Sequence, residues 1–230
     1  GEISNITNFG GGGIMGSRAF QESNLNLNIN NCSSTGIISK NGGGLFGQES
    51  FNKIDNGVIV IEECTTSGDM VGEKSGGLFG TMMLNNIKNV NITITKCNVN
   101  GQIRGNDAGG YIGSHMCKLM EDGVINIINC NNINDITGNN SGGLIGSNSF
   151  QNMKKGVIKI NNWINNGNII NINSGGLIGQ NAFYQIENGT IDLLNCDNNG
   201  ELIGNNTGGL LSNTVFNEIK MIKMNITNCK

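Results

Sequence analysis

Charged residues are scarce in this chain of 230 residues, and proline is absent. Only 13% of the residues are charged and the net charge is -3, which is too little positive charge for a surface that binds nucleic acid or anionic lipid. Hydrophobic runs are short and interrupted, so no segment is long enough to span a bilayer. We therefore expect no nucleic-acid partner and no membrane span.

Residues that commonly build catalytic or metal sites are also few. His115 is the only histidine, and alone it cannot complete a tetrahedral zinc site. No two cysteines have the two-residue separation typical of metal ligands. The acidic clusters come from different parts of the chain, whereas a glycosidase needs two carboxylates a few ångströms apart. We predict no enzymatic activity, no catalytic residue, no metal site and no cofactor.

What the chain does contain is a Gly-Gly block, followed in most copies by two apolar residues and a third glycine, that recurs along its whole length. The second glycine of the block is Gly13, Gly44, Gly77, Gly110, Gly143, Gly176 and Gly209. The intervals between these copies are equal except for the first, which is slightly shorter. Self-similarity with a constant period of about 33 residues is typical of solenoid proteins.

The apolar residues within each repeat alternate with a period of two rather than 3.6. Ile125 and Ile127 flank Asn126, which predicts a strand with one buried face. Equivalent inward pairs are Ile59/Ile61, Ile92/Ile94, Ile158/Ile160 and Ile191/Leu193. The position between them accepts Lys159 and Asp192, which indicates that it faces solvent.

Two further short strands are predicted in each repeat. One is the Gly-x-apolar-x-Gly segment, whose leading glycine, such as Gly101, we expect at positive φ in a corner; Asn134 takes this place in one repeat. Its central apolar residues are Ile38, Met70, Ile103, Ile136, Ile169 and Leu202. The other is the Gly-Gly block itself. The spacer that follows, such as residues 81–89, is expected to be a variable loop.

Each spacer carries a recurrent apolar residue that we expect to pack back against the body. These residues are Phe20, Phe51, Leu84, Phe150, Phe183 and Phe216. Three strands and three corners in each repeat predict one coil of a triangular, right-handed parallel β-solenoid. Successive coils would lie about 4.7–4.9 Å apart. Helix-pair repeats are the alternative, which the Gly-rich and Ile/Asn-rich strands disfavour.

We expect seven coils in a single domain over residues 1–230. The repeats would be about 1–32, 33–64, 65–97, 98–130, 131–163, 164–196 and 197–229. Each inward position then forms a ladder of like residues across the coils. One such ladder comprises Leu45, Leu78, Leu144, Leu177 and Leu210.

The order of these segments resembles the GLUG-motif repeat family. The matching segments are Gly175-Gly176-Leu177-Ile178-Gly179, Gly189-Thr190-Ile191, Asn195-Cys196, Gly200-Glu201-Leu202-Ile203-Gly204 and Gly208-Gly209. The resemblance covers essentially the whole chain. It implies an architecture found in parts of large secreted or surface proteins, including adhesins and the stalks of surface proteases, and it carries over no catalytic residue.

Six of the seven cysteines occupy one position of the repeat, and Trp163 takes that position in the remaining repeat. They are Cys32, Cys64, Cys97, Cys130, Cys196 and Cys229. A buried ladder of small apolar thiols fits this pattern. So do disulfides between neighbouring coils, since stacking brings Cα atoms within the range of about 4.4–6.8 Å that a disulfide needs. The disulfide hypothesis pairs Cys32 with Cys64, Cys97 with Cys130 and Cys196 with Cys229, while Cys117 stands apart in a spacer.

Asparagine makes up roughly a fifth of the chain and recurs at defined positions. The residue before the cysteine position is asparagine in five repeats: Asn31, Asn129, Asn162, Asn195 and Asn228. Amides there can satisfy turn backbone groups, and a row of ligand-binding amides is the alternative. N-glycosylation sequons predict possible glycan sites at Asn5, Asn91, Asn139, Asn188 and Asn205. The sequons at Asn31 and Asn225 lie near packed positions.

The repeat predicts a structural subunit of an extracellular or cell-surface filament or stalk. The last predicted strand, residues 219–229, still alternates as an interior coil does, and an uncapped coil presents unpaired backbone groups and an open apolar core. We therefore expect copies of the chain to stack head to tail. In an adjacent apolar pair such as Leu177-Ile178, a residue that faces outward would offer an apolar lateral contact. The alternative is an adhesin segment that binds glycans or a host protein on one face.

The chain has neither an initiating methionine nor a signal-peptide pattern. We therefore expect it to be either a processed protein or a fragment of a longer one.

Overall fold

The chain folds as an all-β solenoid. The computed structural model describes residues 10–21 and 24–230, and for residues 2–3 it describes the backbone only. These described residues contain no helix, and therefore no helix long and apolar enough to cross a membrane. The strands are β1 (Glu2–Ile3), β2 (Leu25–Asn30), β3 (Ser33–Ser34), β4 (Asp55–Glu62), β5 (Thr65–Thr66), β6 (Ile87–Thr95), β7 (Asn98–Val99), β8 (Met120–Glu121), β9 (Val124–Asn132), β10 (Val157–Asn165), β11 (Thr190–Leu194), β12 (Asp197–Asn198) and β13 (Lys223–Thr227).

Every strand pairs in parallel with the equivalent strand of an adjacent repeat. In the middle of the chain the offset equals the repeat of about 33 residues, so that Ile125 pairs with Ile158 and Ile158 with Ile191. The first coil is shorter, and Leu25 pairs with Gly57. The Gly-Gly blocks form seven rungs, and seven rungs enclose about six turns. The predicted stack is confirmed, with about one turn fewer than the seven coils expected.

The predicted inward residues form the core. The pairs Ile125/Ile127 and Ile158/Ile160 are fully buried. Lys159, which lies between Ile158 and Ile160, is exposed. Leu45, Leu78, Leu144 and Leu177 are also fully buried, and Tyr111 takes their position in the intervening coil. Backbone bonds such as Leu144 N to Leu177 O, at 2.9 Å, join successive members of this ladder. Leu210, at the end of the ladder, is half-buried.

The Gly-Gly block offers no lateral contact, contrary to expectation. Leu177 and Ile178 are both fully buried, and so are Leu144 and Ile145. Both residues can be buried because the block turns between them: each apolar pair lies at a bend rather than along a straight strand.

The leading glycines of the second strand are required for close approach, and not for positive φ as predicted. Neither Gly101 nor Asn134 has a positive φ. A Cβ atom on Gly101 would lie 2.0 Å from the carbonyl oxygen of Gly68 in the preceding coil, which is a severe clash. The left-handed conformation falls instead on the residue before the cysteine position, such as Asn129 (φ 54°) and Asn162 (φ 55°).

The spacer is a regular part of each coil rather than a variable loop. Residues Asn148, Phe150 and Asn152 all have φ near 55°, and their backbone N–H groups donate to carbonyls of adjacent coils. The recurrent apolar residues pack inward as predicted: Phe150 and Phe183 are fully buried, with stacked rings 5.0 Å apart. A bridged line of residues in the spacer therefore adds a fourth paired stretch to the three strands predicted for each coil.

Candidate interaction surfaces

The structure keeps apart the residues that could have served catalysis or metal binding. The described residues contain no group of three or more His, Cys, Asp or Glu side chains placed to hold a metal ion. His115 is half-buried, its Nδ1 lies 2.9 Å from Ser114 Oγ, and burial lowers its pKa. Cys117 is fully buried in the ladder of spacer phenylalanines, and burial raises its pKa. The absence of enzymatic activity stays a prediction.

The six repeat-position cysteines form one column. All are free thiols, and the interior ones donate to backbone carbonyls, as Cys130 Sγ does to Ile128 O at 3.4 Å. Burial raises the pKa of Cys130 to about 11 and that of Cys196 to about 12. The predicted partners do lie in adjacent coils: Cys229 Sγ is 3.4 Å from Cys196 N. The three disulfides therefore stay a prediction for oxidising conditions, to be tested by non-reducing peptide mapping.

Trp163 fills the cysteine position of its coil without breaking the core. It is fully buried and meets Tyr111 edge to face, with the ring centroids 5.1 Å apart. The Tyr111 hydroxyl in turn accepts from Asn131 N at 3.0 Å and donates to the Cys97 carbonyl. The two large rings thus occupy the space that two ladders of smaller residues fill elsewhere.

Several stacks of asparagine amides run along the solenoid, and two of them flank the cysteine position. The predicted one is exposed: Asn162 Nδ2 donates to Asn129 Oδ1 at 2.8 Å, and Asn195 Nδ2 donates to Asn162 Oδ1 at 3.1 Å. The second stack was not predicted. Asn132 and Asn165 are fully buried and linked at 2.6 Å, and Asn165 also donates to Gly167 O. Hydrogen bonds that satisfy neighbouring amides in this way indicate a structural role for both stacks.

The predicted glycan sites differ in accessibility. Asn91, Asn188 and Asn205 are exposed, whereas Asn139 is half-buried and its Oδ1 accepts from Ile172 N at 3.3 Å. Asn5 lies outside the described residues. Glycosylation stays a prediction at all five positions.

A column of alternating charge, which we call the charged column, runs along the spacer side. Its six residues are Asp55, Lys88, Glu121, Lys154, Glu187 and Lys220. Each pairs through its backbone with the next, so that the sign of the charge reverses at every coil. All six side chains are exposed. Sequence reasoning missed this column, although charged residues one repeat apart with alternating sign would have identified it.

A groove of about 840 Å³ lies beside the charged column. Its apolar lining includes Ile87, Met120 and Ile186, which are buried, and Ile219, which is half-buried. The rim opposite the charged column consists of five residues: Asn86, Leu119, Asn152, Gln185 and Glu218. Leu119 is 47% exposed there, so the groove offers apolar contact as well as charge.

The end of the last coil exposes apolar residues that interior coils enclose. Leu202 is 47% exposed and Ile226 49%, although Ile169 and Leu193, their counterparts one coil earlier, are fully buried. Leu210, Phe216 and other members of the core ladders are only half-buried at this end. The apolar ladders that are closed inside the solenoid are therefore partly exposed at its last coil.

No family model, curated protein or solved structure matches this chain.

Proposed function

We propose that this chain is a structural subunit of an extracellular or cell-surface filament or stalk, assembled by end-to-end stacking of solenoid coils. The observation that supports this most directly is the exposure, at the last coil, of apolar ladder residues such as Leu202 and Ile226, which interior coils bury. Burial of apolar surface contributes about 25 cal/mol per Å² removed from water, so an end of this kind favours contact with a further coil. The resemblance to GLUG-motif repeats, which is itself a proposal, agrees with a secreted or surface location.

The first coil carries the complementary surface for such a contact. Its ladder residues are half-buried, as those of the last coil are: Ile14, Met15, Phe20, Leu27 and Ile29. The ring of Phe20 stacks on Phe51 at 5.3 Å, and that of Phe216 on Phe183 at 5.2 Å. A second copy placed in the same register would set its Phe20 over Phe216, which continues the aromatic ladder from one copy to the next.

The test is a pair of substitutions on adjacent residues of β13. Ile226 lies in an inward column, and Thr227 belongs to the outward column of Leu194. Ile226→Asp places a charge in the stacking contact and should abolish end-to-end polymers, because an unpaired carboxylate is not tolerated in an apolar interface. Thr227→Asp should still polymerise. Sedimentation velocity and electron microscopy of the full native protein measure both.

Measurements on the native protein also distinguish self-assembly of separate copies from a longer polypeptide that covers its own coil ends. Rods whose lengths are multiples of one unit, lost in Ile226→Asp, would support the proposal. A stable monomer whose coil ends are covered by further sequence of its own would refute it.

The second candidate function is an adhesin segment that binds glycans or a host protein on one face. A depression of about 250 Å³ favours it, because amide side chains surround a tyrosine there and offer hydrogen-bond donors and acceptors to hydroxyl groups. Its lining is Asn148, Gln151, Asn181, Tyr184, Thr214 and Asn217. Glycan-array binding that is lost in Tyr184→Ala, with polymerisation unchanged, would establish this binding function in addition to a structural one.

A further inference from the structure

The charged column carries charges that the chain itself leaves largely unpaired. Lys88 Nζ lies 3.8 Å from Glu121 Oε2, and both side chains are about half exposed. Within the described part of the chain, no ion pair joins Lys154 to Glu121 or to Glu187. Elsewhere the chain pairs its few charges more closely: Lys40 and Glu73 approach to 2.8 Å and Arg18 and Glu49 to 2.7 Å. The column is therefore open to a partner.

The pattern restricts the chemistry of that partner. A polyanion would meet Glu121 and Glu187, and a polycation would meet Lys88 and Lys154. A neutral ligand would leave all of these charges without a counterpart. A fitting partner must reverse its own charge at every coil spacing, about 4.8 Å. Another copy of the same column has this spacing.

We propose that the charged column is a lateral interface through which two copies of this chain pair side by side and antiparallel. The column has six positions of alternating charge, so it begins with an acidic residue and ends with a basic one. Turning one copy end over end therefore brings the opposite charge to every position. An antiparallel partner then places Asp55 opposite Lys220, Lys88 opposite Glu187, and Glu121 opposite Lys154. Each pair occurs twice because the interface is isologous.

Other orientations satisfy fewer charges. A parallel copy in register places like charges together at all six positions. A parallel copy displaced by one coil leaves one charge at each end of the column without a counterpart. The antiparallel arrangement is therefore the one in which every charge of the column has an opposite partner.

One exposed residue of the groove, Leu119, provides apolar contact for the same partner. Leu119 is 47% exposed and lies next to the charges, whereas Met120 and Ile186 are buried and cannot reach a partner. The column covers five coil spacings, about 24 Å, so the contact is a narrow strip and smaller than a standard interface. We therefore expect a reversible dimer that dissociates at about 0.5 M salt, where screening shortens the reach of exposed charges.

The test uses two charge reversals that complement each other only in the antiparallel dimer. Lys88→Glu faces Glu187 of the other copy, and Glu187→Lys faces Lys88. Each variant alone creates two like-charge pairs per dimer and should weaken self-association at least about tenfold. Mixing the two restores all six opposite pairs in a heterodimer. Sedimentation equilibrium with one variant fluorescently labelled measures the recovery.

Both variants are studied in the Ile226→Asp background, so that end-to-end stacking does not mask the lateral contact. The matched control is Lys40→Glu, which reverses a paired lysine outside the column and should leave dimerisation unchanged. Circular dichroism confirms that each variant is folded, because exposed ion pairs contribute little to stability. Loss of the dimer in each variant with recovery on mixing supports the proposal, and failure of the mixture to recover overturns it.

A charge swap distinguishes the dimer from stabilisation within the chain. Glu121→Lys with Lys154→Glu keeps every antiparallel pair opposite in sign, since these two positions face each other. The same swap places like charges together at two steps along the column of one chain. Dimerisation retained in the double variant supports the proposal. Dimerisation lost in the folded double variant overturns the antiparallel arrangement.

Discussion

The interior coils and the last coil carry the same sequence pattern but different surfaces. Ile169 and Leu193 lie in the closed interior, whereas Leu202 and Ile226, one repeat later in the same columns, are about half exposed. The difference arises from the neighbour and not from the residue type. A coil of this solenoid buries its apolar face only when another coil lies on it, which is the property that repeat architectures share.

The largest expected difference between the two regions is in tolerance of charge. Leu177→Asp should destabilise the protein by at least about 4 kcal/mol, because the carboxylate is buried without a partner. Leu210→Asp, in the same ladder, should have less than about half this effect, since its side chain can reach water. Urea denaturation followed by circular dichroism compares the two variants, and equal shifts would contradict the assignment of the last coil as open.

The same comparison can be made with glycines of the Gly-Gly block. A Cβ atom on Gly176 would lie 2.0 Å from Gly209 O, whereas one on Gly209 would lie 3.8 Å from its nearest neighbour. Gly176→Ala should therefore destabilise by about 2–3 kcal/mol, and Gly209→Ala should change stability by less than about 0.5 kcal/mol. Thermal unfolding of both variants is the measurement. A comparable loss in Gly209→Ala would indicate that a further coil covers the end.

Alkaline pH should affect the interior through its buried thiols. Burial raises the pKa of Cys130 from its ordinary 9.0 to about 11. The neutral thiol therefore contributes stability that is fully present below pH 9 and is lost as the pH rises towards 11, at about 1.4 kcal/mol per pH unit. The urea midpoint of the wild type should fall over this range.

Cys130→Ala tests this contribution. The variant lacks the thiol and should show a shallower decline than the wild type. Cys229→Ala, in the half-buried last coil, is the matched control. If all three proteins decline equally, ionisation of Cys130 does not limit stability at alkaline pH.

The smallest effect is expected at an outward position of an interior strand. Asp192 lies between the buried Ile191 and Leu193, and its Oδ1 accepts from Asn225 Nδ2 at 2.5 Å. Asp192→Asn keeps an acceptor oxygen and should change the free energy of unfolding by less than about 0.5 kcal/mol. A loss comparable to that of Leu177→Asp would show that the two faces of β11 have been assigned incorrectly.

Much of the fold could be predicted because two periods in the sequence agree. Alternation of Ile125, Asn126 and Ile127 distinguishes the faces of a strand, and the constant repeat interval aligns that strand with its equivalent at Ile158. The regular structure of the spacer was not predicted, because its residues alternate between left-handed and other backbone conformations. Asn148, Phe150 and Asn152 have no simple apolar period, yet their backbones stack as regularly as the strands do.

The candidate interaction surfaces were less predictable than the core. Single charged residues such as Glu121 and Lys154 look ordinary in the linear sequence, and their alternation has meaning only when coils are stacked. The buried stack of Asn132 and Asn165 is similar: it was not predicted, because only stacking supplies each amide with a partner. The open apolar core at the last coil, in contrast, was expected from the sequence, and the structure identifies its exposed residues as Leu202 and Ile226.

The sequence by itself determined which residues of a coil face inward and which coil lies next to which, because both follow from spacing along one chain. Only the tertiary structure decided which side chains each position can accommodate. Gly101 is needed for the approach of the Gly68 carbonyl and not for a turn conformation, and Leu177 and Ile178 are both enclosed because the chain bends between them. The physical reason is that clash, burial and charge pairing depend on atoms of the adjacent coil, which lie a full repeat away in sequence and within van der Waals contact in space.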